Sequence, residues 1–275
     1  MKLLFIGDIV GRPGRDLVRR HLRALAAVHA ADLVIANGEN AAGGAGITRD
    51  NTNEILGAGV DVITTGNHVW DKRETLAFIA AEPRLIRPAN YPEGTPGLGS
   101  YVAVARNGVR VGVINVMGRV FLHAIDDPFR AAVREIARVK DEGAQVVFVD
   151  MHAETTSEKV ALAWYLDGQV AAVIGTHTHV QTADERVLPG GTACLTDAGM
   201  TGPHDGVIGM DKLAVIARFV TGLPGRFEPA AGDSRLHGAL VTVDPATGRA
   251  SAIERVALTE DQLAAITDQA AAVRA

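Results

Sequence analysis

Short β-branched and aliphatic runs recur along this chain, and each is followed at once by polar residues of kinds that seldom mark a plain turn. The runs are Leu3 to Ile6, Leu33 to Ala36, Val60 to Thr64, Val109 to Val116, Gln145 to Val149 and Val170 to Ile174. Unbroken apolar runs of this length suit strands buried on both faces. Amphipathic stretches separate most of them. Pro13 precedes Arg15 to Val28, and Asp127-Pro128 precedes Phe129 to Asp141, both with the start signals of helices. That alternation predicts a layered α/β protein.

Hairpin signals make the predicted sheets mixed. Asn107-Gly108, between Tyr101 to Ala105 and Val109 to Val116, predicts a two-residue turn. Gly238 to Val243 and Ala250 to Leu258 flank Asp244-Pro245-Ala246-Thr247-Gly248, which reads as another antiparallel pair. Thr259-Glu260-Asp261-Gln262 has capping-box spacing before a final helix over Leu263 to Val273. Without repeats or a long linker, residues 1–275 are expected to form one domain.

Composition narrows the functional classes. A chain of 275 residues buries a sizeable core without disulfides or structural metals, so a metal here would serve chemistry. The net charge of −5 with no basic block argues against tight binding to duplex nucleic acid and leaves a small anionic partner. Cys194 is the only cysteine, which rules out an intramolecular disulfide and a zinc site of several thiolates. The run Leu3 to Ile6 is cut by Gly7-Asp8 short of a signal-peptide core, and no apolar run approaches the roughly 18 residues of a membrane span. The expectation is a cytoplasmic protein with no membrane partner, compatible with a symmetric homo-oligomer.

The polar residues past the predicted strand ends carry the chemistry. They are Asp8 after the first run, then Asn37, Glu39 and Asn40, then Asn67 and His68, then His152, then His177 and His179. Ligands of open α/β sheets bind outside the carboxyl ends of strands, so these side chains are placed to meet in one crevice. Imidazoles, carboxylates and carboxamide oxygens suit manganese, iron, zinc or cobalt. The set exceeds one tetrahedral zinc site, whereas a pair of ions about 3.5–4 Å apart uses all of it, with Glu39 as the bridge. Read singly, Asp8 makes a helix cap, Asn67 a left-handed turn and Asn37-Gly38 a tight turn. His177 and His179 differ, since two residues one apart on a strand exit share a face.

The sequence also resembles a known family. Gly66-Asn67-His68, His152 and Gly175-Thr176-His177-Thr178-His179 resemble the blocks of calcineurin-like metallophosphoesterases. Gly7 to Arg15, Asn37-Gly38-Glu39-Asn40, Gly66 to Asp71, Asp150 to Lys159 and Gly199 to Gly206 resemble the YmdB-type branch, whose members are metal-dependent cyclic-nucleotide phosphodiesterases. The resemblance implies a four-layer α/β/β/α sandwich with mixed sheets. It implies one metal on Asp8, Glu39 and His179, and a second, bridged by Glu39, on Asn40, Asn67, His152 and His177. His68 is then the general acid, iron or manganese the favoured metals, and a 2′,3′-cyclic nucleoside monophosphate the substrate. Relative to the broad superfamily, Asp8-Ile9-Val10 lacks the histidine of D-x-H and Glu39 replaces a bridging Asp, two changes that the YmdB-type branch shares. The rivals are a broad phosphomonoesterase or phosphodiesterase, a nucleotide sensor with little turnover, and a role for His68 in orienting its neighbours.

Other segments read more plainly. Gly43 to Gly46 is expected as a rim, because no P-loop lysine follows it. Thr155 and Glu158 have capping-box spacing, and His204 lies in a Gly- and Pro-rich loop with substrate contact left open. Arg12 and Arg15 are expected to be solvated, and Trp70 and Phe78 to pack.

Overall fold

A computed structural model of the protein describes residues 1–272. The last three positions, including Val273 of the predicted final helix, lie outside the described residues. In chain order the elements begin with β1 (Lys2–Ile6), β2 (Asp8–Ile9), α1 (Gly11–Val28), β3 (Leu33–Asn37), α2 (Arg49–Gly57), β4 (Val62–Thr64) and α3 (Thr75–Phe78). The middle holds β5 (Ser100–Val104), β6 (Arg110–Met117), α4 (Pro128–Asp141), β7 (Val146–His152), α5 (Thr156–Tyr165) and β8 (Ala172–Thr176). The remainder is β9 (Arg186–Val187), β10 (Ala193–Leu195), β11 (Met200–Pro203), α6 (Lys212–Thr221), β12 (Ser234–Asp244), β13 (Arg249–Thr259) and α7 (Glu260–Ala272).

Two mixed sheets stack face to face. The first runs β2-β11-β12-β1-β3-β4, with β13 on the other side of β12. The second runs β5-β6-β7-β8-β10-β9. Alternation along each strand sends side chains to opposite faces. Leu3 and Phe5 of β1, with Leu33 and Ile35 of β3, meet Val111, Val113, Val146 and Phe148 of the second sheet in a central apolar layer. Leu4, Ile6, Val34 and Ala36 face outward onto Leu17, Leu22 and Leu25 of α1, Ile55 of α2 and Leu263 of α7. Ile114, Val147, Val149 and Val173 face the other way onto Ala132, Ile136 and Val139 of α4 and Leu162 of α5. The expected four-layer α/β/β/α sandwich is therefore the architecture.

Local outcomes follow from tertiary packing. The capping box holds α7, with Thr259 N donating to Gln262 Oε1 at 2.9 Å and Gln262 N to Thr259 Oγ1 at 3.3 Å. Asp127 caps α4 by accepting from Phe129 N and Arg130 N. The Asn107-Gly108 turn is one residue longer than expected. Ala105 N donates to Val109 O at 2.8 Å, so Arg106, Asn107 and Gly108 form the loop, with Gly108 at φ +84°. The Thr155–Glu158 capping box is absent. Thr155 Oγ1 has no hydrogen-bond partner, and Glu158 accepts instead from Arg119 N and Val120 N. Phe78 is buried and Trp70 stacks edge-on against Tyr91 at 5.9 Å, as the packing reading holds.

Phe5 and Phe148 join the two sheets, their ring centroids 5.1 Å apart. Both are fully buried in the central layer. Phe148→Ala should therefore lower unfolding free energy by about 3–5 kcal/mol, the usual cost of emptying an aromatic core position, read by urea denaturation.

Candidate metal centre

The carboxyl ends of β3 and β4, parallel in one sheet, and of β7 and β8, parallel in the other, meet at one edge, where Asn37 Nδ2 donates to Asp150 Oδ2 at 3.0 Å. Asn37 ends β3 and His152 ends β7, so each belongs to its strand rather than following it as the sequence suggested. Glu39 Oε1 lies 3.3 Å from His152 Nε2, and His152 Nε2 lies 2.8 Å from Asn67 Oδ1. Ligand atoms of Glu39, His152 and His177 all fall within 4.8 Å of one another. Asp8 Oδ2 accepts from His177 N at 3.2 Å, and Asp8 Oδ1 lies 3.9 Å from His179 Nε2. Asn40 Nδ2 contacts both Glu39 Oε1 and His179 Nε2 at 3.1 Å. Every residue proposed from the sequence as a ligand thus reaches one place. Asp8 is not a cap, since Val10 occupies the N-cap of α1 without a side-chain bond.

The close approach depends on Gly66. A β-carbon there would sit 2.2 Å from Glu39 Oε2 and 2.3 Å from His152 Nε2, so no side chain fits. The histidine loop differs from the sequence picture. His177 and His179 do not continue the strand but take φ +100° and +65°, a region costly for residues with a β-carbon. Asp197 holds them there, its Oδ2 accepting from Thr178 N at 3.1 Å and Thr178 Oγ1 at 2.6 Å. Lys159 donates to the same oxygen at 2.8 Å from a buried position.

The His152 and His179 rings are oriented from behind, and the orientation leaves their Nε2 lone pairs facing inward. Thr176 Oγ1 gives its proton to Asp150 Oδ1 at 2.7 Å, so His152 Nδ1, 3.0 Å from that hydroxyl, is the donor. Its Nε2 is then a bare acceptor beside the Asn67 and Glu39 oxygens. His179 Nδ1 donates to Ile208 O at 2.9 Å, which likewise leaves its Nε2 unprotonated. Asp150 is itself fixed by Thr64 and Asn37, whose Nδ2 donates at 3.0 Å. Asn37 is therefore more than a tight turn. Asp8 Oδ1 is buried with no partner at all. Acceptors facing acceptors and an orphaned carboxylate oxygen are arrangements that cations resolve, so the residues fit a metal centre.

The charges agree. Burial, and then repulsion from Asp197, push the Asp8 carboxyl up to about 8. Burial and then Asp8 raise Glu39 well above the carboxylate range, while burial lifts Asp150 to about 7 against the pull of its hydrogen bonds. Burial first, with neighbouring cationic groups after it, holds His152 well below its ordinary value, and burial lowers His177 and His179.

A cleft of about 430 Å³ opens onto the cluster. Glu39, Asn40, His68, Glu154, His177 and His179 contribute polar groups to its lining, alongside Gly43, Gly44, Ala45, Ile208, Met210 and Phe227. The glycine segment is a rim, as expected. His68 Nδ1 bonds Asp71 Oδ2 at 2.8 Å, and its backbone N donates to Glu39 Oε2 at 3.3 Å. His204 packs against His237, ring centroids 4.6 Å apart, and is not among the residues lining the cleft. Arg12 is solvated, but Arg15 is not: it pairs with Glu54 at 2.7 Å and donates to Ala41 O, bracing the Glu39 loop. Sequence alone did not single out Glu154, 2.9 Å from His177 Nε2, because the strand before it was expected to end at Val149 rather than His152, or Phe227, which sits at no strand end and in no metal-ligand pattern.

The two stacked sheets with helices on both outer faces form a fold found in other proteins. A 5′-nucleotidase precursor from Thermus thermophilus shares it, with a TM-score of 0.56 over 99% of this chain and 58% of that one at 16% identity. The chain belongs to the YmdB-like protein family, whose sequence profile matches residues 4–256. It is 50% identical over 263 residues to the 2′,3′-cyclic-nucleotide 2′-phosphodiesterase of Bacillus subtilis (strain 168), covering 96% of this chain and 99% of that enzyme. A hypothetical protein from Thermus thermophilus superposes with a TM-score of 0.87 at 45% identity, covering 94% of this chain and all of that one. A novel phosphatase from Mycoplasma pneumoniae also gives 0.87, at 33% identity, over 94% and 93% of the two chains.

The buried carboxylates predict a pH signature in chelator-treated protein. Above about 7.5, a unit past the ordinary histidine value of 6.5, the lowered histidines are largely neutral whether folded or unfolded. Asp8 holds its proton up to about 8 when folded but only to 3.8 when unfolded. Raising the pH from about 7.5 through 8 thus strips protons from the folded state that the unfolded state has already lost, and stability falls. Urea unfolding across that window should show the fall, and Asp8→Asn should lessen it, with Glu39 and Asp150 carrying the remainder.

Proposed function

We propose that this protein is a dinuclear-metal phosphodiesterase that hydrolyses cyclic nucleotides, with 2′,3′-cyclic nucleoside monophosphates as its substrate class. The convergence of Asp8, Glu39, Asn67, His152, His177 and His179 on one cluster beside the cleft carries the metal part of the reading. The substrate part is supported by the 50% identity to the Bacillus subtilis enzyme over nearly the whole of both chains.

Asp8, Glu39 and His179 would hold one ion. Asn67, His152 and His177 would hold the other, with Glu39 common to both. The Asn40 carboxamide, whose nitrogen contacts His179, would join through its oxygen. Iron or manganese suits these donors best, with zinc or cobalt also compatible. Bound there, a metal pair supplies water activation and neutralises charge on the phosphoryl group. The protein's own proton donor is His68. Asp71 occupies its Nδ1, so Nε2 is the atom left to protonate the departing ribose oxygen. Among the described residues no helix is long and apolar enough to cross a membrane, and a cytoplasmic setting belongs to the same proposal.

Protein loaded with Mn²⁺ or Fe²⁺ should turn over 2′,3′-cyclic substrates faster than 3′,5′-cyclic nucleotides or simple phosphate esters. Equal rates across the panel would mark a broad phosphoesterase, and tight binding without product a sensor. His68→Ala should keep its metal content by elemental analysis yet lose turnover by about 10²–10⁴-fold. Unchanged turnover would remove His68 from the chemistry.

A further inference from the structure

We propose that Phe227, with Met210 and Ile208, forms a subsite that grips the nucleobase of the substrate, so that the chain favours nucleosidic cyclic phosphates over base-free ones. The inference rests on the cyclic-nucleotide reading above and adds the feature that sets its specificity.

The cleft is lined by two unlike kinds of residue. Glu39, His68, His177 and His179 bring polar and titratable groups, where a phosphate would sit, while Ile208, Met210 and Phe227 present apolar surface to the same space. A volume of about 430 Å³ exceeds the need of a phosphate alone. Small-molecule sites of about 300–1,000 Å³ typically combine such an apolar wall with a few convergent polar groups. A nucleotide has this polarity: an anionic ester at one end, a flat aromatic base at the other.

The wall is built into the site rather than left over from packing. Ile208 takes φ +45°, strained for a β-branched residue, and its carbonyl accepts from His179 Nδ1. The backbone that aims His179 therefore also presents Ile208, which is 52% exposed. Met210 packs on the rim so tightly that a β-carbon at Gly44 would lie 2.4 Å from its Cε. Arg218 stands 5.3 Å over the Phe227 ring, a cation–π contact that fixes the ring where it lines the cleft. Stacking on an aromatic ring is tolerant of base identity, because every base offers a π-face.

The test compares adenosine 2′,3′-cyclic phosphate with glycerol 1,2-cyclic phosphate, which keeps the five-membered cyclic ester and lacks a base, using metal-loaded full-length protein. Phe227→Ala should lower kcat/KM for the adenosine substrate about 5- to 150-fold, mainly through KM, the range that loss of one base–aromatic stack gives. The glycerol substrate should lose less than twofold, metal content should stay constant, and Phe227→Trp should restore the adenosine rate. Equal losses on both substrates, or a wild-type protein that does not distinguish them, would overturn the subsite. A wild-type protein active on phosphomonoesters alone would overturn the cyclic-nucleotide reading first and the subsite with it.

Discussion

Mutual repulsion among buried acceptors governs this protein. Asp8, Glu39 and Asp150 are fully buried at the edge where two sheets meet, and the imidazoles beside them are oriented to offer lone pairs rather than protons. Burial first, and repulsion between the carboxylates after it, raises their pKa values, and Asp8 Oδ1 is left without a hydrogen-bond partner. Burial of this kind costs free energy unless charge of the opposite sign is supplied. The fold bears that cost where a cleft of about 430 Å³ opens onto the cluster.

Everything around the cluster serves to keep it assembled. The central apolar layer, with Phe5 against Phe148, fixes how the two sheets stack and hence where their strand ends meet. Gly66 removes a side chain that would otherwise part Glu39 from His152. The buried Lys159–Asp197 pair holds the Thr178 backbone and hydroxyl, and through them the two strained histidines on either side. The same Ile208 carbonyl that orients His179 sets the apolar wall of the cleft. The buried cluster and the apolar wall of the cleft therefore share one framework.

Much of this was legible in the chain because its strands are unbroken apolar runs, and polar residues just beyond such runs land at sheet edges. What was not legible depended on contacts between distant segments. Asp150 looks like the end of a strand at Val149, yet the strand continues to His152, since Thr64, Thr176 and Asn37 satisfy the carboxylate inside the sheet. Thr155 and Glu158 have capping spacing, but the amides of Arg119 and Val120 take the glutamate away. Phe227 lies in a loop with no periodicity to mark it, and only the packing of Arg218 and the folding back of that loop bring it to the cleft.

The account stands on a shared pair of cations, and anomalous diffraction tests that directly. Crystals of manganese-loaded protein, measured on either side of the manganese absorption edge, should show two peaks with the Glu39 carboxylate between them, one against Asp8 and His179 and the other against Asn67 and His152. Absence of peaks at Glu39 in protein that is catalytically active would contradict it.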